Sequence, residues 1–182
     1  MDEPQHVTRL VDVALVADPD DIGRYVTDAH RMLADLVSND AALGWVDPPE
    51  STEIEQLLAS VARDSVVGDA ALAIATSEGR LVGLGYWRRY SRPTHRVHAD
   101  LERVAVAIGA QRQGLGRALA SLLVDAARVG GIEQLTLDLR SDNEPALRLY
   151  EGLGFRQYGH LADFVAVGER RLGKIFMVLD LR

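Results

Sequence analysis

The sequence predicts an α/β (α+β) fold in which about four helices flank a mixed central sheet of about seven strands. Three observations carry this expectation. Apolar residues alternate with period two in some segments and recur at helical spacing in others, which separates strands from helices. Residues 69–77 and 81–90 are strand-like and flank Glu78-Gly79-Arg80, the build of an antiparallel hairpin. Farther on, strand, helix and strand follow with short connections, which implies a right-handed parallel crossover and so a mixed sheet.

Residues 11–17 read as a first strand, and Asp18-Pro19-Asp20-Asp21 supplies acidic capping residues for a helix over about 22–37. Tyr25, Ala29, Met32, Leu33 and Leu36 share one face of that helix. Asp47-Pro48-Pro49-Glu50 is a firm break. Thr52 and Glu55 form a capping-box pattern for a second helix ending near Arg63, with Ile54, Leu57, Leu58 and Val61 as its stripe. After the hairpin, residues 97–108 read as a strand. Residues 114–129 place Leu115, Leu119, Leu122, Leu123 and Ala126 on one helical face, stopped by Gly130-Gly131. Residues 135–140 alternate, with Leu135, Leu137 and Leu139 opposite Thr136, Asp138 and Arg140. A short helix near 144–152 and strands near 155–165 and 172–181 complete the order.

The 182 residues fit a single domain spanning 1–182. Hydrophobic residues at 47% and charged residues at 26% are the balance of a soluble globular protein. A formal net charge of −7 argues against wrapping nucleic acid, so an anionic ligand must be held locally. The absence of cysteine removes disulfides, thiolate metal sites and a thiol nucleophile, and points to a reducing, cytoplasmic home. Residues 1–9 are polar and acidic, unlike a secretory signal, and no apolar run approaches the roughly 20 residues needed to span a bilayer. His6, His30, His95, His98 and His160 lack paired metal spacing, so no metal is expected. A monomer or a homodimer is open, with an edge strand near the C-terminus available for pairing.

The chemistry is concentrated in Gln111-Arg112-Gln113-Gly114-Leu115-Gly116-Arg117, between a strand and the N-terminus of the strongest helix. There backbone amides and the helix dipole can cradle a pyrophosphate, the glycines let the backbone come close, and Arg112 and Arg117 add charge. The alternative is that the glycines only make the turn. The spacing is neither that of a dinucleotide fold nor that of a nucleotide triphosphate loop.

Val104-Ala105-Val106 followed by Gln111-x-x-Gly114-x-Gly116 resembles the acetyl-CoA signature of GNAT acetyltransferases, and Asn143 through Phe155 is similar to the family's Asn, Ala, Tyr and Gly-Phe pattern. The likeness covers about residues 81–155. It departs where family members often carry proline (here Ile108) and glycine (here Arg112). The resemblance implies the acyl-CoA N-acyltransferase fold, acetyl-CoA as co-substrate, Val104 and Val106 pairing with the pantetheine arm, an amide cradle at residues 111–117, and Asn143 near that arm. It also implies that Tyr150 faces the thioester sulfur as proton donor to the thiolate; the alternative is a core aromatic. Residues 33–46 are similar to a segment of the tabtoxin-resistance-like branch, which would let Trp45 line the amine pocket.

Three carboxylates are candidates for a base: Asp138, favoured, and Asp100 with Glu102, which share a strand face. Residues 86–98 hold four arginines, two histidines and no acid, which reads as a solvated hairpin or as a basic rim for phosphates or a carboxylate. The expected reaction is direct acetyl transfer to a primary amine, of a small molecule such as an amino acid or an antibiotic-like amine. The alternatives are a protein or peptide amine, and an acyl-CoA sensor without transfer.

Overall fold

The computed structural model describes residues 11–182; the expectation of a signal-free start at residues 1–9, and His6 with it, lies outside them. In chain order the elements are β1 (Val11–Leu15), α1 (Val26–Ser38), α2 (Ser51–Val66), β2 (Ala70–Ser77), β3 (Arg80–Arg89), β4 (His98–Val106), α3 (Leu115–Val129), β5 (Gln134–Arg140), α4 (Glu144–Glu151), β6 (Arg156–Val167) and β7 (Arg170–Asp180). The strands form one sheet in the order β1-β2-β3-β4-β5-β7-β6. Every neighbouring pair is antiparallel except β4 and β5, which α3 connects as a parallel crossover. The mixed seven-stranded sheet with four α-helices is the architecture the patterning predicts, and β6 is the C-terminal edge strand.

Three boundaries differ from the sequence expectation. Residues 19–25 form a tight 3₁₀ turn instead of the first turns of α1, because Asp18 accepts the Asp20 N–H at 2.9 Å and proline occupies the first position. The capping box at Thr52 does not form: α2 starts at Ser51 after Glu50, with no side-chain cap bond, and runs beyond Arg63 to Val66. β4 ends at Val106, and Ile108–Ala110 is a separate 3₁₀ turn.

The apolar face of each helix selects a side of the sheet. Leu119, Leu123, Val124 and Ala127 of α3 bury against Ala71, Ala73, Ala75, Leu101, Leu135 and Leu137, with Leu147 and Tyr150 of α4 joining that layer. On the other face Met32, Leu33 and Leu36 of α1 and Ile54, Leu58 and Val61 of α2 pack on Leu72, Ile74, Leu84 and Tyr86. Because α1 and α2 pack on β2 and β3, they leave the same face of β5, β7 and β6 open, where Tyr158 and Phe164 are each 57% exposed.

Alanines and glycines on β2 and β3 bring α3 close. A Cβ added at Gly83 would stand 3.1 Å from Leu119 Cδ1, and one at Gly85 would stand 3.0 Å from Val104 Cγ2 and 3.2 Å from Leu123 Cδ1. The Trp87 indole N–H donates to the Leu123 carbonyl at 3.1 Å, which satisfies its one polar atom inside this layer. Gly85→Val should therefore overpack the α3 layer and cost about 1–3 kcal/mol in urea unfolding. An unchanged midpoint would show that α3 has room to move.

Candidate active site

The register of β4 and β5 creates the site. They pair only at His98↔Gln134, Ala99↔Leu135 and Asp100↔Thr136. Beyond that point β5 stays with β7 as far as Arg140, and β4 stays with β3 as far as Val106, so the two halves of the sheet part. A bulge lies in the parting stretch of β4. Leu84↔Ala105 and Tyr86↔Glu102 leave Gly85 opposite both Arg103 and Val104, and Arg103 takes φ 48°.

The bulge resets which backbone groups face the opening. Before it, Val97 accepts from Glu133 on the β5 side and His98 accepts from Tyr90 on the β3 side. After it, the Ala107 N–H donates to Val82 across to β3, so by alternation Val104 and Val106 turn their N–H and C=O groups into the opening, while the Ala105 side chain is buried toward α1 and α2. The Gln111 side-chain amide reaches back to the Val106 carbonyl at 3.1 Å.

The opening leads to the turn at residues 111–117. Arg112 (φ 62°) and Gly114 (φ 82°) are in left-handed backbone, and Gly114 is the N-cap of α3. Among the described residues none of the N–H groups of Arg112, Gln113, Gly114, Leu115, Gly116 or Arg117 has a protein acceptor; the first bonded helical N–H is that of Ala118, to the Gly114 carbonyl at 3.0 Å. Gln111 to Gly114 are exposed, and Leu115 is buried as the anchor. Six unpaired donors at a helix N-terminus form an anion cradle.

Neighbours of the cradle have structural tasks too. A Cβ on Gly116 would meet Leu149 at 3.4 Å, so this glycine also lets α3 pass α4. The Gln113 side-chain amide donates to the Gly109 carbonyl at 3.4 Å, and Arg117 donates to the Gly152 carbonyl at 3.2 Å, turning its charge to the C-terminal end of α4. Arg112 remains exposed beside the turn. Asn143 caps α4, its Oδ1 accepting from Ala146 N at 3.3 Å.

Since Ala99, Leu101, Leu135, Leu137 and Leu139 bury toward α3, the polar set Asp100, Glu102, Thr136 and Asp138 shares the opposite, open face. Burial pushes the Asp100 carboxyl up to about 6; the Thr136 hydroxyl, donating to it at 2.6 Å, opposes that rise, while Glu102 and Asp138 reinforce it. Thr136 has one proton and gives it to Asp100, so Tyr90 donates to Thr136 at 2.7 Å and a Tyr90–Thr136–Asp100 chain results. Asp138, the acid the sequence favours, is ion-paired to Lys174 at 2.8 Å and is 40% exposed. Glu102 accepts from the Tyr86 hydroxyl at 3.2 Å and from Arg103 at 3.1 Å.

Tyr150 projects from α4 with its ring edge-on to Phe155, centroids 5.5 Å apart. Burial raises its phenol well above the ordinary range, so it stays protonated, and its hydroxyl has no protein partner among the described residues. Tyr158 and Phe176 lie 6.0 Å apart as an aromatic wall, with the Lys174 ammonium 5.5 Å from the Phe164 ring. Sequence reasoning missed Tyr90, Lys174, Tyr158, Phe164 and Phe176. Only Thr136 had a visible signal, its place two residues before Asp138 on one strand face.

The arginine-rich stretch serves another end of the molecule. Arg88 binds Ser60 at 3.1 Å, Arg89 donates to the carbonyls of Gly68, Arg96 and Gly130, and Arg96 pairs with Asp69. Gly130 caps the C-terminus of the 15-residue α3, about 22 Å from the cradle at 1.5 Å per residue. These arginines fasten loops instead of forming a rim for phosphates. Trp45 donates to Glu53 at 2.6 Å and lies 4.5 Å beneath the Arg103 guanidinium, on the edge of the open face.

Among the described residues no group of three or more His, Asp or Glu is placed to hold a metal, and no helix is long and apolar enough to cross a membrane. Unpaired N–H groups for a diphosphate, and a strand edge offering Val104 and Val106 to an amide-bearing arm, fit an acyl-CoA.

Over 83 residues the chain is 37% identical to the ribosomal protein bS18-alanine N-acetyltransferase of Escherichia coli K12, a match covering 46% of this chain and 56% of that protein. The chain thus spans about half the length of the curated relatives it matches. An N-acetyltransferase from Staphylococcus aureus Mu50 shares the fold with a TM-score of 0.82 at 16% identity, over 95% of this chain and 99% of that one. A phosphinothricin acetyltransferase from Sinorhizobium meliloti, solved in complex with acetyl-CoA, superposes with a TM-score of 0.78 at 18% identity, over 93% of this chain and 88% of the other. Residues 31–155 match the acetyltransferase (GNAT) family, so the chain, with its parted strands and amide cradle, belongs to that family.

Proposed function

We propose that this protein transfers an acetyl group from acetyl-CoA directly to a primary amine. The observation that carries the reading is the β4–β5 opening that runs into a turn of unpaired N–H groups. Val104, Ala105 and Val106 would hold the pantetheine arm, residues 111–117 the diphosphate, and Asn143, through its amide N–H₂, the far side of the arm. Bound there, acetyl-CoA supplies an activated thioester. The absence of cysteine means that no acyl group passes through a protein thiol, and it fits a reducing, cytoplasmic setting.

An amine attacks only when neutral. With a pKa near 10.4, about one molecule in 10³ is neutral at pH 7, a handicap of roughly 4–5 kcal/mol. Asp100 is better suited than Asp138 to remove that proton: its carboxyl at about 6 lies near working pH, whereas the Asp138 carboxylate is already engaged by the Lys174 ammonium at 2.8 Å. On the α4 side, the Tyr150 phenol keeps its proton to neutral pH and beyond and so can donate it to the departing thiolate. Holding both reactants across one opening supplies the main rate enhancement.

The open face carries Asp100, Glu102 and Asp138 against Lys174, beside Tyr158 and Phe164. It suits a small cationic amine with an aromatic or apolar flank, since Lys174, the cation on that face, is taken by Asp138. A second reading, acetylation of a peptide N-terminus, is favoured by the likeness to the bS18-alanine enzyme. Free-thiol release from acetyl-CoA, measured over tyramine, spermidine, amino acids and short peptides, separates the two. We expect tyramine and spermidine to lead; peptides alone would establish the second reading, and no release with any amine would leave an acyl-CoA sensor.

Because Asp100 must be ionised to act, kcat should fall as pH drops through about 6 and level off above it. Asp100→Asn should lower kcat about 10²-fold and abolish that limb; a limb that persists would move the base elsewhere. Two further substitutions part binding from chemistry. Gly114→Val forces a branched side chain into backbone at φ 82° and should weaken acetyl-CoA at least about tenfold by calorimetry, whereas Tyr150→Phe should lower kcat about 10²-fold with affinity unchanged.

A further inference from the structure

The α1–α2 connection crosses the open face where β4 and β5 part, and it is fastened to both strands. Asp40, in left-handed backbone at φ 62°, receives Arg140 Nη1 at 3.2 Å and Nη2 at 3.3 Å on its carboxylate, and Arg140 Nη2 at 3.1 Å on its carbonyl. The same carboxylate receives Arg170 at 2.8 Å. Arg140 is the last residue of β5 and Arg170 the first of β7. Asp142 holds Arg140 Nε at 2.6 Å, and the Arg140 side chain is only 11% exposed. At the other end the Leu43 carbonyl accepts from Arg103 Nε at 3.2 Å, and Arg103, in the β4 bulge, also covers the Trp45 ring and reaches Tyr86 and Glu102.

Residues 40–45 therefore run as a strap from the end of β5 to the bulge of β4. At that level the two strands share no ladder hydrogen bond, so no backbone pairing fixes the width of the opening. The side chains on the strap supply the restraint instead. Arg170 and Arg140 hold the Asp40 carboxyl below the usual carboxylate range, so the latch stays charged at neutral pH.

We infer that Asp40 is a positioning residue for the acceptor amine: acting through Arg140 and Arg170, it holds residues 40–45 as a wall of the amine site and leaves the acetyl-CoA cradle untouched. The inference rests on the acetyl-transfer reading above. Asp40 pairs with neither Asp100, Tyr150 nor any residue of the 111–117 turn, so its loss should act on one substrate only.

The test uses the full chain with Asp40→Asn, Arg170→Gln and the double variant. Tyramine and the peptide Ala-Ala-Tyr-amide serve as acceptors, and calorimetry follows acetyl-CoA. Asp40→Asn should raise the acceptor KM about 5–10-fold, keep kcat within about twofold and leave the acetyl-CoA Kd unchanged, with Arg170→Gln non-additive in the double variant. Backbone hydrogen exchange over residues 40–46 should quicken in the same variants. An unchanged KM, or an equal loss of acetyl-CoA affinity, would overturn the inference. If the wild type releases no thiol with either acceptor or with spermidine or amino acids, the functional reading fails separately, and the exchange still decides the strap: unaltered rates in Asp40→Asn would refute the latch, and faster rates would uphold it.

Discussion

A parallel ladder that stops after three residue pairs governs this molecule. Once β4 and β5 cease to pair beyond Asp100↔Thr136, two strand edges carry backbone donors and acceptors with no partner inside the sheet. Such groups are costly to leave unmet, and here the parted edge leaves them facing the opening, where solvent can satisfy them or a ligand able to bond as a strand would. The bulge at Arg103–Val104 makes the arrangement usable, because it shifts by one residue which backbone groups face the gap.

Everything around the opening serves to hold it in that state. Alanines and glycines beneath α3 bring the helix close to β2 and β3, which aims its N-terminus at the mouth of the gap. There the turn into α3 presents six N–H groups, those of residues 112–117, with no protein acceptor among the described residues, the positive dipole end of the helix directed outward. On the opposite face the sheet is left bare beyond α1 and α2, so acids and aromatics of β4, β5, β6 and β7 meet across the gap instead of being packed away. Surroundings separate Asp100 from Asp138: Asp100 is half-buried beside Thr136, where desolvation raises its carboxyl, whereas Asp138 is ion-paired with Lys174 at 2.8 Å.

Much of this was legible in the residues. Period-two and helical spacing located eleven elements, and the Gln-x-x-Gly-x-Gly turn marked the cradle because a left-handed glycine at a helix start is a local matter of φ. The first turn of α1 and the cap of α2 were misjudged, since a proline-led 3₁₀ turn and an uncapped start depend on which of several adjacent polar residues takes the first N–H. The basic stretch at residues 86–98 read as a solvated hairpin or a rim because composition carries no direction; in the fold Arg88 reaches Ser60, Arg89 the carbonyls of Gly68 and Gly130, and Arg96 pairs with Asp69. Arg117 likewise sits in the cradle's sequence yet points to Gly152.

By itself the sequence determined the family-type fold, the strand-to-helix cradle, the alternating faces that put Asp100 with Glu102 and Thr136 with Asp138, and the candidacy of Tyr150. The turn and the alternating faces follow from spacing within one element or from one connected turn, whereas the family-type fold and the candidacy of Tyr150 rest on the resemblance of residues 104–155 to a known family. The tertiary structure alone decided that Asp138 is taken by Lys174 while Asp100 is half-buried and bonded to Thr136, that Tyr90 and the β6–β7 aromatics wall the same face, and that Asp40 reaches Arg140 and Arg170. Those relations join residues up to 130 positions apart. They depend on strand order and on the register of a parting sheet, which no periodicity along a single chain encodes.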